Sequence, residues 1–168
     1  MRWNRERSAY LGEPPPATTA IADDWAYVPF ISPSFFREFV LPAYGRCQDL
    51  EATVVKFHTC GNLVPLAEDL LASFPGIRTL DVGGWNELED LHARVPHAIA
   101  FSIHFVNTFV LAGSPDEHRQ RLEIVRRIAR VRRVSICAQA IVRLHASYEE
   151  DLGRMNRFIE LARRVLAQ

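Results

Sequence analysis

Short apolar runs alternate with longer amphipathic stretches along most of the chain. The runs predicted to be strands lie at residues 21–25, 53–58, 77–82, 98–105 and 133–138. A turn and then apolar residues at helical spacing come after these runs, and the last helix is predicted from about Tyr148 to Leu166. Near-continuous apolar strands that alternate with helices are typical of a parallel sheet covered by helices. We therefore predict an α/β fold of about five βα units, as a doubly wound sheet or part of a (β/α)8 barrel.

Local signals indicate where several of the predicted elements begin and end. Ser32-Pro33 provides an N-cap followed by proline at the first helical position, and Pro42 predicts a kink or break in the next helix. The segment Ser114-Pro115-Asp116-Glu117 has the pattern of a capping box. Three consecutive prolines at positions 14–16 predict that residues 1–20 form an irregular N-terminal tail, so that the domain covers residues 21–168.

Composition and charge narrow the classes of protein. The 168 residues suit one domain, with 48% hydrophobic and 24% charged residues. The 20 basic and 20 acidic residues cancel, which argues against a nucleic-acid-binding protein. Charged residues or histidines interrupt every apolar run well before the roughly 18 residues of a membrane span, and the N-terminus lacks the apolar core of a secretory signal. We expect a cytoplasmic soluble domain with no nucleic-acid or membrane partner.

A candidate metal site lies at the end of the second predicted strand, in the segment His58-Thr59-Cys60-Gly61-Asn62. Alternate residues of a strand point to one face, so His58 and Cys60 reach a common point at the carboxyl end, where parallel α/β folds build active sites. Imidazole and thiolate are zinc ligands, and Cys137 on the fifth strand is the candidate third ligand. Three ligands leave one position open for a substrate thiol. The alternative is that the cysteines are packing residues.

Other polar residues are predicted to lie at the same end of the sheet. Asp23 and Asp24 come after the first strand, where one of them is a candidate acceptor for a ligand histidine or a substrate. Asp81 is a candidate fourth zinc ligand or general base, and His104 is a candidate site residue on the fourth strand. The structural alternatives are turn capping for the aspartates and a buried core position for His104.

Several segments of the chain occur in the order seen in the uroporphyrinogen decarboxylase superfamily. They are Ala22-Asp23-Asp24-Trp25, Ile31-Ser32-Pro33 through Phe36-Arg37-Glu38-Phe39 and Leu41-Pro42, His58-Thr59-Cys60-Gly61-Asn62, and Gly113-Ser114-Pro115-Asp116-Glu117. Residues 20–168 therefore resemble the C-terminal half of such a (β/α)8 barrel. The H-x-C…C pattern is similar to that of the zinc-dependent methylcobamide:coenzyme M methyltransferases, which implies that His58, Cys60 and Cys137 bind Zn²⁺.

The resemblance implies transfer of a methyl group from a corrinoid, held by a partner corrinoid protein, to a small-molecule thiol. Asp24, Asp81 and His104 are then the candidate catalytic residues, and Trp25 and Asn62 are candidates for contacting the corrinoid or tetrapyrrole. For Trp25, core packing is the alternative.

Two further functions remain open. One is tetrapyrrole decarboxylation, and the other is a non-catalytic, truncated half-barrel that needs a complementary half-barrel or a homo-oligomer. Such a fragment is expected to expose two unpaired strand edges and an apolar barrel interior.

Overall fold

Five parallel strands form one sheet, and their order in the sheet is their order in the chain. In this computed structural model, residues 2–14, 16–48, 52–84, 86–138, 144–145 and 147–168 are described. The strands are β1 (Thr18–Ala22), β2 (Thr53–Thr59), β3 (Thr79–Gly83), β4 (Ala100–Phe105) and β5 (Val134–Ala138). Sequential parallel order is the topology of consecutive βα units in a (β/α) barrel. The predicted α/β fold is confirmed as a partial barrel of this type.

Helices separate the strands. They are α1 (Arg2–Leu11), α2 (Pro33–Phe35), α3 (Leu41–Gln48), α4 (Ala67–Ser73), α5 (Leu88–Arg94), α6 (Pro115–Ala129) and α7 (Tyr148–Leu166). Single turns of other helix types lie at Phe36–Val40 and Thr108–Ala112, which are π-helical, and at Val64–Leu66, which is a 3₁₀ turn. The predicted bounds of α7 are confirmed. No helix within the described ranges has both the length and the apolar character that crossing a bilayer requires.

The predicted helix-start signals are also present. Ser114 Oγ accepts from the Glu117 N–H at 3.2 Å, and Glu117 accepts in return from the Ser114 N–H at 2.7 Å. Ser32 Oγ accepts from the Phe35 N–H at 3.1 Å. The break expected at Pro42 takes another form, because α3 continues through Pro42 and the wide π-helical turn lies just before it. Such a turn accommodates the missing N–H and the ring of a proline.

The N-terminal segment differs from the predicted irregular tail. Residues Arg2–Leu11 form α1, and β1 begins at Thr18, three residues before the predicted strand start at Ile21. Gly12 ends the helix with φ of 67°, and the Glu13 N–H donates to Ser8 O at 2.9 Å, as in a glycine C-cap. The helix is mostly polar and shows no apolar periodicity, so the hydrophobic pattern did not reveal it. The prolines restrict only the segment between α1 and β1.

One face of the sheet forms the core with the helices. Its side chains are Phe57, Leu80, Val82, Phe101, Ile103 and Phe105, all at most 1% exposed, and we call them the helix face. They belong to the same buried cluster as Leu70 of α4, Leu91 of α5, Leu122 of α6 and Phe158 of α7. Strand alternation explains the pattern, since each of these residues is separated from the next on its strand by one residue of the opposite face.

The opposite face carries small and polar side chains instead. The strand register places on it Ala20, Ala22, Lys56, His58, Thr79, Asp81, Ala100, Ser102, His104, Ser135 and Cys137, which we call the open face. Of these residues only His104 is buried. The expectation of an exposed apolar barrel interior is therefore wrong, because the alternate positions that avoid the core are polar or small. Within the described residues, β1 and β5 each pair along one side only.

Candidate metal centre

Three metal-ligating side chains converge at the carboxyl end of the open face. His58 lies on β2, Cys60 comes directly after β2, and His104 lies on β4; one ligand atom from each lies within 4.8 Å of the others. His58 Nε2 is 3.7 Å from Cys60 Sγ, and the centroids of the two imidazole rings are 5.0 Å apart. Gly83 of β3 is in register with His104. Because glycine has no side chain, β3 leaves room for groups from β2 and β4 to approach each other.

Asp81 on β3 holds both imidazole rings. Its Oδ1 lies 3.3 Å from His104 Nδ1, and its Oδ2 lies 3.4 Å from His58 Nδ1 and 2.7 Å from Lys56 Nζ. Burial tends to raise the pKa of Asp81, but the hydrogen bond and charge of Lys56, the hydrogen bond of His104 and the charge of His58 together lower it. The ionised carboxylate thus orients the two rings, as carboxylates behind metal-bound histidines do.

His104 has an unpartnered nitrogen. The residue is only 2% exposed, and its Nε2 is buried with no hydrogen-bond partner within the part of the chain that the structure describes. A buried polar atom without a partner is costly, and such atoms in native proteins usually have a ligand or a water. Burial lowers the pKa of His104 and outweighs the opposing hydrogen bond to Asp81. The ring is therefore a neutral imidazole, which is the form that binds a metal.

Cys60 lies in an acidic environment. Its thiol donates to Asp24 Oδ1 at 3.2 Å, and the same carboxylate oxygen is 3.1 Å from His58 Nε2. Burial, then the hydrogen bond and charge of Asp24 and the charge of Asp81, raise the pKa of the Cys60 thiol to about 11. By itself this thiol stays protonated at neutral pH, so it is a poor nucleophile. A bound cation reverses that balance, because it favours the thiolate and is attracted by the same carboxylates.

A pocket opens beside Cys60. It has a volume of about 290 Å³ and is lined by Tyr27, Val28, Pro29, Cys60, Gly61 and Asn62. The Tyr27 ring lies against Gly61 so closely that a Cβ at position 61 would come within 1.8 Å of it. The site therefore has an aromatic wall on one side and room for a small group next to the thiol.

The two predicted cofactor-contacting residues have different environments. Asn62 lines this pocket, and its side-chain oxygen accepts from the Val64 N–H at 3.1 Å. Trp25 is not part of the pocket lining; it is 66% exposed and packs edge-to-face on Phe30, with ring centroids 4.8 Å apart. Core packing, the alternative for Trp25, is therefore wrong. Contact of either residue with a corrinoid stays a prediction.

Of the remaining predicted site residues, some join the ligand cluster and others lie outside it. Asp24 joins the cluster, whereas Asp23 caps a turn and accepts from Tyr44 Oη at 2.6 Å and from the Trp25 N–H at 2.9 Å. Cys137 is on the open face in register with His104, but it is exposed and lies outside the three-residue ligand cluster. His104, considered from the sequence as a catalytic group, takes the place in the cluster that Cys137 was predicted to fill.

Two contributors to the site were missed from the sequence. Lys56, which pairs with Asp81, stands two residues before His58, and the same alternation argument places it on the open face. Asn86 is fully buried and donates to Gly61 O at 2.7 Å and Gly83 O at 2.9 Å. It thereby ties the ends of β2 and β3 together. A single asparagine after a glycine turn carries no signal for this role.

Comparisons of the chain with family models, with curated proteins and with solved structures found no match in any of the three. Membership of the uroporphyrinogen decarboxylase superfamily thus stays a prediction from the sequence motifs. The chemistry of the site must be inferred from its own geometry.

Proposed function

We propose that the chain binds Zn²⁺ through His58, Cys60 and His104 and serves in methyl transfer from a corrinoid to a thiol. The observation that supports this most is the convergence of three zinc-type donors, one of which has a buried, unpartnered nitrogen among the described residues. Two imidazoles and a thiolate are three ligands of the types that zinc prefers, and three protein ligands leave a fourth position open, as in catalytic rather than structural zinc sites.

The surrounding residues have defined parts in this proposal. Zn²⁺ held by His58, Cys60 and His104 with an open position would lower the pKa of a substrate thiol, so that a thiolate would exist at neutral pH. Asp81 orients both imidazoles, and Asp24 offsets the charge at the open side of the site. In the transfer, the thiol sulfur would form a bond to the methyl carbon of the corrinoid substrate, which would keep the electron pair of the bond that breaks. The thiol proton would be released to water.

The proposal places His104 rather than Cys137 in the ligand set. His104 is buried with its Nδ1 facing Asp81, which is how proteins position a ligand histidine. Cys137 is exposed and outside the cluster. The motif resemblance instead favours Cys137, so the two ligand sets make opposite predictions for substitutions at these positions.

Metal content distinguishes the two ligand sets. We expect wild-type protein loaded with Zn²⁺ and freed of excess to retain about one equivalent, and Cys60→Ser and His104→Ala to lose most of it. Cys137→Ser is the matched control and is expected to retain it. Replacement by Co²⁺ adds a spectroscopic readout, since the sulfur-to-cobalt absorption should be present in wild type and in Cys137→Ser and absent in Cys60→Ser. Folded wild-type protein that holds no metal would overturn the proposal, and loss of metal in Cys137→Ser would restore the predicted cysteine ligand.

Activity is tested with methylcobalamin and 2-mercaptoethanesulfonate as substrates. The expected result is loss of the methylcobalamin absorption together with formation of the S-methyl product, in zinc-loaded wild type but not in Cys60→Ser. Zinc-loaded protein that yields no S-methyl product with this pair would contradict the transfer while leaving the metal site standing. Release of CO₂ from a tetrapyrrole carboxylate would instead support the alternative decarboxylase function.

A second candidate function is that of a half-barrel subunit that requires a complement. The observation that favours it is the one-sided pairing of β1 and β5 in the described part of the chain, together with a half-exposed open face. Unpaired edges are templates for further strands. Light scattering after size exclusion tests this. A self-associated species supports completion by a second copy, whereas a stable, folded monomer contradicts the need for any complement.

A further inference from the structure

A second pocket lies between α6, α7 and the turn at Thr108–Ala112, among residues different from those of the metal centre. It has a volume of about 420 Å³, within the range of small-molecule sites. Four arginines line it: Arg119 from α6, and Arg154, Arg157 and Arg164 from α7. Among the described residues, Glu160 is the only acidic one in its lining. The pocket is therefore strongly positive in a chain whose formal net charge is zero.

Three of these arginines have no charged partner among the residues that the structure describes. Arg119, Arg157 and Arg164 make no ion pair or side-chain hydrogen bond to any residue that the structure describes. Arg154 is partly engaged, with Glu150 at 3.2 Å and the carbonyl oxygen of Leu111 at 3.2 Å. The guanidinium donors of the pocket are thus available to an external anion.

The spacing along α7 brings these charges to one side of the helix. Positions 154, 157 and 164 follow i, i+3 and i+10, and position 161 falls between them at i+7. Leu161 and Phe158 are buried residues of α7 that line the same pocket, and Val110 and Leu111 add apolar surface from the preceding turn. The pocket therefore combines an apolar floor with an arginine rim.

We infer that this pocket binds an amphiphilic anion: a phosphate or carboxylate attached to an apolar or aromatic body. Guanidinium groups pair with phosphate and carboxylate oxygens in a bidentate manner, which accounts for the rim. A purely inorganic anion uses the arginine rim alone, and a neutral apolar molecule leaves the arginines without a partner. A ligand with both parts pairs with the arginines and also covers the apolar lining of the pocket.

Four probes test the apolar body and the charged head group of the ligand separately. 1-Naphthyl phosphate and 1-naphthoate carry the apolar body with a phosphate or a carboxylate, 1-naphthol carries the body alone, and inorganic phosphate carries the charge alone. Titration calorimetry at two salt concentrations is expected to give saturable binding of at least one naphthyl anion, weakened by salt. The stronger of the two anions identifies the preferred head group. 1-Naphthol binding as tightly as both anions, or no saturable anion binding, would overturn the inference.

Paired variants assign the binding to this pocket. The variant Arg157→Gln/Arg164→Gln removes two exposed arginines of the rim, so the fold should be retained, which circular dichroism verifies. The matched control is Arg130→Gln/Arg163→Gln, which removes two exposed arginines at the end of α6 and on α7, outside the pocket lining. We expect the pocket variant to bind the naphthyl anion at least about tenfold more weakly, with the control within about twofold of wild type. Equal loss in both variants would show that only general charge attracts the probe.

Discussion

Adjacent residues of the same strands serve two different purposes in this molecule. On β4, Phe101, Ile103 and Phe105 belong to the helix face and are buried in the core, whereas Ser102 and His104 belong to the open face. The first set supplies apolar burial, and the second supplies the polar groups near the candidate metal centre. The comparison teaches that stability and chemistry are divided here by strand alternation rather than by separate segments of the chain.

The largest expected effect is on the helix face. Phe101 is 1% exposed, so Phe101→Ala removes a buried ring and leaves a cavity between the sheet and its helices. We expect a loss of about 3–5 kcal/mol in the free energy of unfolding, measured by urea denaturation. A loss below about 1 kcal/mol would show that the helix face is not the main source of stability and would break the comparison.

The second effect concerns the buried guanidinium at the edge of the helix face. Arg132 lies over the Phe101 ring, 4.0 Å from its centroid, and donates to the carbonyl oxygens of Val95 and Ile99 at 2.5 Å each. Arg132→Met leaves those buried carbonyls unpaired, and we expect a loss of about 3 kcal/mol by urea denaturation. Its neighbour Arg133 is exposed, so Arg133→Met is the matched control and should change stability by less than about 0.5 kcal/mol. Similar losses in both variants would argue that charge, not the buried hydrogen bonds, matters.

The third effect is stabilisation of the fold by a metal bound at the open face. Zn²⁺ that binds only the folded state should raise the free energy of unfolding by about 2.7 kcal/mol when present at roughly 100 times its dissociation constant. The increase is measured by denaturation with and without metal. We expect it to be absent in Cys60→Ser and present in Cys137→Ser. Equal stabilisation of wild type and Cys60→Ser would mean that zinc acts away from the proposed site.

The smallest effect is expected at the centre of the open face. Ser102 comes directly after Phe101, is half-buried and sits in register with Asp81 and Ser135. Ser102→Ala should change the free energy of unfolding by less than about 0.5 kcal/mol in the same urea experiment. Together with Phe101→Ala, this variant compares the stability contributed by the helix face and by the open face at neighbouring residues of one strand. A loss above about 2 kcal/mol would indicate that the open face is packed against something in solution.

The element order could be predicted because it depends on apolar runs, and four of the five strands differ from their predicted bounds by two residues at most. The capping box at Ser114 was equally predictable, since it depends on residues close in sequence. The polar helix α1 was not, because it has no apolar stripe to reveal it. Apolar runs and helix caps could thus be predicted from the sequence, whereas a helix without an apolar face could not.

The candidate site was predictable only along a single strand. His58 and Cys60 could be placed together because alternation within β2 fixes their common face. The choice between His104 and Cys137 could not be made in the same way, since it depends on register across β3 and β4 and on the gap at Gly83. Asn86 acts through three backbone groups, one at the end of β3 and two in the segment after β2, so its role exists only in the folded chain.

The carboxylate of Asp81 has one further consequence. An ionised carboxylate only accepts hydrogen bonds, so the His104 ring that faces it must carry its proton on Nδ1. One residue of β3 therefore sets the tautomer of a histidine on β4 and leaves the buried Nε2 of that histidine as a lone-pair donor. His58 lies between two carboxylates instead, with Nδ1 3.4 Å from Asp81 and Nε2 3.1 Å from Asp24. A change at Asp81 would alter the donor atom that His104 offers, although Asp81 itself is outside the proposed ligand set.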